Sequence, residues 1–257
     1  MKIQILGAGK MGAFFADALS VNHEVAILDR RPERLRFTYH CARMDDPREI
    51  ADFAPDLLLN AATLRYTVDA FRQALPYLPP ACILSDIASV KTGLREFYEE
   101  ASRPFVSTHP MFGPTFANLA SLSSENAIII AESSEAGKAF FRELYGSLNL
   151  RIFEYSFEEH DETIAYSLSI PFASTLVFAS VMKRQEAPGT TFKKHMEIAR
   201  GLLSEDDYLL TEILFNPHTP RQLEQIRHEL ATLLEIVKAR DPAAMREFLR
   251  GVRQKIE

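Results

Sequence analysis

Cysteine is scarce in this chain of 257 residues: Cys41 and Cys82 are the only two. Neither sits in a CxxC or Cys/His spacing, which excludes a disulfide framework and gives no reason to expect a zinc or other metal site. Positive charge is in deficit, with 29 Lys and Arg against 35 Asp and Glu and a formal net charge of −6. That balance argues against nucleic acid or an anionic membrane as partner. A small anionic substrate stays open, because a few local arginines outweigh a mildly acidic whole. No apolar run reads as long enough to span a bilayer, and no signal-peptide profile precedes the first strand pattern. Both point to a cytoplasmic protein. Repeats, low-complexity tracts and obvious flexible linkers are lacking too. What is present is an ordinary composition, 47% hydrophobic and 25% charged, long enough for one large domain or two moderate ones.

Short apolar runs alternate with amphipathic segments up to about residue 155. Residues 2–6, 24–28, 56–60, 81–87, 105–108 and 127–131 read as strands buried on both faces. Between them, Met11, Phe14, Phe15, Ala18 and Leu19 share one helical face, as do Val68, Phe71 and Leu75. Strands alternating with helices imply right-handed crossovers and a mostly parallel, doubly wound sheet of the Rossmann type. After the segment 151–155 the alternation stops and every periodic stretch reads as helix. The expectation is a dinucleotide-binding domain over 1–155 and an all-helical domain over 156–257. Pro171 should kink a long helix, and Asp241-Pro242 is a helix-start signal. Long helices around 164–182 and 207–237 carry more apolar surface than a small bundle needs, which suggests a homodimer through the helical domain.

The run Gly7-Ala8-Gly9-Lys10-Met11-Gly12 follows a strand and opens a helix, the context a dinucleotide fingerprint requires. Gly7 permits the tight turn, Gly9 lets the backbone approach a pyrophosphate, and Gly12 lets helix and strand pack closely. The free N–H groups and positive dipole end of the helix then face the phosphates. Asp29 lies 17 positions past Gly12 at the end of the second strand. Its carboxylate suits the adenosine ribose hydroxyls and repels a 2′-phosphate, which favours NAD. Arg30-Arg31 beside it could grip such a phosphate, so NADP stays in view. Asn60 and Ala61, at the end of the next strand, complete the candidate cofactor contacts.

A nicotinamide enzyme that oxidises an alcohol needs a group to take the hydroxyl proton as hydride leaves. Two segments just after late strands offer one: Asp86-Ile87-Ala88-Ser89-Val90-Lys91, and His109-Pro110-Met111-Phe112-Gly113-Pro114. His109 ends a strand in a Pro/Gly-rich turn on the presumed cofactor edge, and imidazole titrates near neutral pH.

The glycine turn, the DxxSVK segment and the HPMFGP segment, followed by an all-helical C-terminal half, closely resemble the prephenate dehydrogenase family of tyrosine biosynthesis. The resemblance implies NAD-dependent oxidative decarboxylation of a dianionic acid, prephenate, to 4-hydroxyphenylpyruvate. By the family pattern His109 accepts the hydroxyl proton. Ser89 bonds the same hydroxyl or orients His109, and Lys91 stabilises local negative charge. Arg200, on a helix of the second domain, is the match for a carboxylate-binding arginine. His160 matches a histidine found near the start of the first helix of that domain and is the second residue expected to bind substrate. The chain departs from the pattern in the segment Tyr166-Ser167-Leu168-Ser169-Ile170-Pro171-Phe172, where relatives often carry histidines and it has none. Arogenate, with an amino group in place of the keto group, is therefore an alternative substrate. A dehydrogenase or reductase of the β-hydroxyacid dehydrogenase or pyrroline-carboxylate reductase type and a non-catalytic NAD-binding regulator are further alternatives.

Overall fold

The computed structural model describes residues 1–37, 40–113, 122–183 and 185–256, without the side chains of Pro32 and Phe37. Pro114, the last residue of the HPMFGP segment, lies outside the described residues. The elements run β1 (Lys2–Leu6), α1 (Lys10–Ser20), β2 (Glu24–Leu28), β3 (Ala42–Met44), α2 (Glu49–Phe53), β4 (Leu57–Asn60), α3 (Thr67–Ala74), β5 (Ile83–Asp86) and α4 (Leu94–Ala101). Next come β6 (Phe105–Pro110), β7 (Asn126–Ile130), α5 (Glu135–Ser147) and β8 (Arg151–Tyr155). The described elements after β8 are helices: α6 (Phe157–Ile164), α7 (Ile170–Val181), α8 (Thr190–Leu202), α9 (Asp207–Leu214), α10 (Thr219–Ala239) and α11 (Pro242–Ile256).

The eight strands form one sheet in the order β3-β2-β1-β4-β5-β6-β7-β8. Every neighbouring pair is parallel except β6 with β7. The chain starts at β1 near the middle and winds outward both ways, which is the Rossmann arrangement. Period-two alternation splits the strand side chains between two cores. Ile3, Ile5, Leu57 and Leu59 pack with Phe15 and Leu19 of α1 and Phe141 and Tyr145 of α5. Leu58, Ala26 and Leu84 pack with Phe53, Phe71, Phe97 and Tyr98 on the opposite face. Each such large apolar side chain contributes about 1.5–3 kcal/mol of burial.

Three sequence expectations are corrected, and the kink expected at Pro171 takes a specific form. A third strand, Ala42–Met44, was missed: it has three residues and only Met44 is buried, too little to produce a periodic signal. The helix expected over 207–237 is two, α9 and α10. Pro217 disfavours helical geometry at Asn216, whose Oδ1 instead accepts the backbone N–H of His218 at 2.9 Å. At Pro171 the helix widens into a π-helical segment, Ala165–Ser169, directly before α7, a common way to accommodate a proline that has no N–H to give. Finally, the continuous helical stretch Phe157–Val181 contains an 18-residue window with a mean hydropathy of 1.6, by length and composition alone apolar enough to cross a bilayer. Its interspersed serines, threonine and proline hide it from a search for an unbroken apolar run.

The chain forms two compact units. The first is Met1–Asp161 with Asp206–Glu212, and the second is Glu162–Glu205 with Ile213–Glu257. This boundary lies past the expected 155/156 division. Phe157 and His160, at the start of α6, are both buried and belong to the first unit. In the second unit Ser169 Oγ donates to the Ile213 carbonyl at 2.9 Å and accepts from Thr219 Oγ1 at 2.9 Å. Val177, Val181, Leu230 and Val237 are each more than half exposed.

Candidate active site

The glycine turn is set by close approach. Gly7 has φ +94°, and a Cβ there would lie 2.8 Å from the Ala61 carbonyl oxygen. A Cβ on Gly12 would lie 1.8 Å from the Gly7 carbonyl oxygen. Both positions are closed to any side chain. Gly9 differs: its φ of −72° suits any residue, and a Cβ would meet no atom of the described residues within 4 Å. Gly9 faces a cleft of about 600 Å³, lined also by Gly7, Asp29, Arg30, Ala61 and Tyr66. The fold does not require glycine at position 9, whereas a pyrophosphate drawn up against the first turn of α1 would.

Asp29 is buried beside this turn. Its Oδ2 accepts the Ala8 N–H at 2.8 Å and its Oδ1 the Arg31 N–H at 2.9 Å. Each oxygen keeps a lone pair for a ribose hydroxyl. Arg34 stands 3.9 Å from Oδ2, and the Arg30 guanidinium lies 5.3 Å from the Tyr66 ring centre. Of the ten residues expected at the cofactor, Gly7, Gly9, Asp29, Arg30 and Ala61 line the cleft. Ala8 and Gly12 are buried behind the turn, Lys10 is exposed and Met11 half-buried. The Asn60 amide is spent internally, donating to Thr67 O at 2.8 Å and accepting from Ala62 N at 3.1 Å. It shapes the β4–α3 loop that carries Ala61. Sequence reasoning missed Arg34 and Tyr66; the neighbouring Arg65-Tyr66 pair was the available signal.

Because β1, β2, β4, β5 and β6 are parallel, their C-terminal ends share an edge. Gly7, Asp29, Asn60, Asp86 and His109 all lie along it. β6 runs through Pro110, two residues further than expected, and His109 sits within it opposite Ile128 of β7. The histidine is thus held by ladder pairing rather than in a turn. It is 5% exposed, and its Nδ1 lies 3.1 Å from His160 Nε2. Burial, with help from His160 and Lys91, holds His109 well below the ordinary imidazole value. It is therefore neutral at pH 7 and able to accept a proton. Ser89 is half-buried on the loop after β5.

Lys91 lies on the loop after β5. It is buried, with its Nζ 2.6 Å from Asp86 Oδ1 and 2.7 Å from the Thr108 carbonyl oxygen. Asp86 also accepts the Tyr98 hydroxyl at 2.7 Å, and Thr108 Oγ1 bonds the Asp86 carbonyl and lies 2.7 Å from the Tyr145 hydroxyl. Burial lowers the Lys91 ammonium from its usual range, and contact with Asp86 opposes that. This interior network ties β5, β6, α4 and α5 together directly behind His109. His160, expected as a substrate ligand, is fully buried and meets His109. Arg200 is exposed at the end of α8. It lines a separate cleft of about 440 Å³ within the second unit, together with Lys183, Lys193 and Phe192.

Comparison with known proteins gives this geometry a context. No family model matches the chain. Over 203 residues it is 23% identical to a protein of Methanocaldococcus jannaschii named "Probable arogenate/prephenate dehydrogenase", covering 72% of this chain and 44% of that protein. It is 30% identical over 153 residues to the T-protein of Enterobacter agglomerans, covering 55% of this chain and 40% of the relative. The chain is a sequence relative of the prephenate and arogenate dehydrogenases. It spans less than half the length of these two relatives. Prephenate dehydrogenase from A. aeolicus, crystallised with hydroxyphenyl propionate and NAD⁺, superposes with a TM-score of 0.85 at 18% identity, covering 100% of this chain and 98% of that one. Synechocystis arogenate dehydrogenase gives 0.77 at 16% identity, with both chains fully covered. These two establish the shared fold.

Proposed function

We propose that the chain is an NAD-dependent dehydrogenase that oxidatively decarboxylates prephenate to 4-hydroxyphenylpyruvate. The observation that carries the reading is a buried, neutral His109 on the same sheet edge as a glycine turn whose Gly9 is free of any fold requirement. NAD⁺, when bound at that turn, supplies the hydride acceptor. The Gly7–Gly12 turn and α1 would hold the pyrophosphate, and Asp29 the adenosine ribose.

His109 Nε2 accepts the hydrogen bond of the ring hydroxyl and draws off its proton as the hydride leaves the same carbon. Loss of the ring carboxylate as CO₂ returns its bonding electron pair to the ring, and the phenolic oxygen is reprotonated. Aromatisation drives the step forward. Ser89 is assigned to the same hydroxyl. Lys91 acts from behind, keeping His109 neutral and Asp86 compensated, and Arg200 is assigned to a substrate carboxylate as a bidentate partner. The exposed apolar faces of α7 and α10 are assigned to a homodimer contact, with sedimentation as the test. A monomer at micromolar concentration would oppose it.

Replacing His109 with Asn should lower kcat by roughly 10²–10⁴-fold while leaving NAD⁺ affinity unchanged; an unaltered rate would remove His109 from this role. Arogenate is the second reading. It is favoured by the absence of histidine from the segment 166–172 and by the relative whose name carries both substrates.

A further inference from the structure

We propose that His160 and Asp161 form a positioning chain behind His109, fixing its ring in the tautomer with the proton on Nδ1 and leaving Nε2 as the free acceptor. The proposal deepens the reading of His109 as proton acceptor and rests on it, although the tautomer can be read without any substrate.

Three groups lie in series: His109 Nδ1 is 3.1 Å from His160 Nε2, and His160 Nδ1 is 3.1 Å from Asp161 Oδ1. The donor and acceptor inventory then allows one neutral arrangement. An ionised carboxylate only accepts, so His160 Nδ1 carries the proton it shares with Asp161. A neutral His160 is left with a lone pair on Nε2, and the partner of that lone pair must be a donor. His109 therefore donates from Nδ1, and its Nε2 is unprotonated.

The surroundings keep both rings neutral. His160 is fully buried and His109 nearly so, in an interior where a second imidazolium would be uncompensated. The charged groups facing the pair are Asp86 at the end of β5, Lys91 on the loop after it, and Asp161 on α6. Burial pushes His160 down and the bond to Asp161 opposes this. Asp86 is taken up by Lys91 and Tyr98, which leaves Asp161 as the carboxylate bonded to the pair. The arrangement matches in logic a carboxylate holding a catalytic imidazole in the correct tautomer. Here a second imidazole is interposed. His160 is therefore a positioning residue, with no direct part in binding substrate.

The test is a two-dimensional ¹H–¹⁵N spectrum of the full chain with labelled histidine at neutral pH, assigned with His109→Asn. The expected result is a protonated Nδ1 and an unprotonated Nε2 for His109. His160→Leu removes the acceptor. It should release the ring to the Nε2–H form preferred by free imidazole and lower kcat by roughly 10²-fold, short of the ~10⁴ lost when a triad histidine is held wholly in the wrong tautomer. His160→Gln can place its Oε1 where Nε2 was. It should keep the tautomer and most of the turnover, which also guards against a fold defect in the leucine variant. A wild-type His109 protonated on Nε2 would overturn the proposal, as would equal rates and spectra for the two variants. The expected tautomer pattern with no turnover of prephenate or arogenate would sustain the positioning chain and refute the proposed reaction.

Discussion

Adding a single methyl group at Gly9 separates a turn made for the fold from a turn made for a ligand. The backbone there, at φ −72° and ψ −178°, is ordinary for an L-residue, and among the described residues the new Cβ has no neighbour within 4 Å. Removing glycine from the unfolded chain stabilises by about 0.4–1 kcal/mol. Alanine is a poorer helix N-cap than glycine by a comparable amount, so the thermal midpoint of Gly9→Ala should be nearly unchanged. The methyl projects into the cleft where the pyrophosphate is proposed to approach the first turn of α1. Losing one charge-assisted hydrogen bond costs about 1.5–3 kcal/mol, which corresponds to a Kd for NAD⁺ raised roughly 10- to 100-fold. Isothermal titration calorimetry on both proteins measures this directly. A folded Gly9→Ala protein that binds NAD⁺ as tightly as wild type would refute the assignment of the turn. Gly12→Ala serves as contrast. Its Cβ would lie 1.8 Å from a backbone oxygen, so α1 must shift and stability and binding should fall together.

Three further outcomes follow from the interior of the first unit and from Arg200. Lys91→Met strands the buried Asp86 carboxylate and should destabilise by about 3–5 kcal/mol; denaturant unfolding checks this, and a loss under 1 kcal/mol would contradict the buried pair. His109 and His160 are both held below the ordinary imidazole value, so below about pH 6.5 the unfolded chain binds more protons than the folded one. Their contribution is complete above that pH and is lost as the pH falls towards the folded values, at up to about 1.4 kcal/mol per pH unit for each histidine. Unfolding free energies between pH 7.5 and 5 should therefore fall less steeply in a His109→Asn/His160→Gln double variant; parallel slopes would remove the histidines from the linkage. Arg200→Ala should raise the substrate KM without altering NAD⁺ affinity, and a normal KM would mean that another cation holds the carboxylate.

The parts of the fold that were legible in sequence are those where burial dictates residue type on its own. β1 and β2 are buried along nearly their whole length, so a run of aliphatic residues marked their ends to the residue. β3 was illegible because pairing with β2 holds it, while only one of its three side chains is buried. The glycine turn was readable because Gly7 and Gly12 answer to local geometry. The site was less so, because its partners are distant in the chain: His109 and His160 are 51 residues apart, and no local pattern links them. Lys91 was assigned to local negative charge without its partner, because the carboxylate it meets lies five residues back across the loop. That i, i+5 acid–base spacing after a buried strand was the signal available. Arg34 lies beyond the acid that drew attention, in a 3₁₀ turn that only tertiary packing brings back to Asp29.

The central claim is that the dinucleotide turn and His109 serve one reaction. It is tested most directly by following reduced nicotinamide formation from NAD⁺ with prephenate and with arogenate, in wild type and in His109→Asn. The account predicts turnover of prephenate with stoichiometric CO₂ release, reduced roughly 10²–10⁴-fold in the variant. Tight NAD⁺ binding without turnover of either acid, or turnover that does not depend on His109, would contradict it.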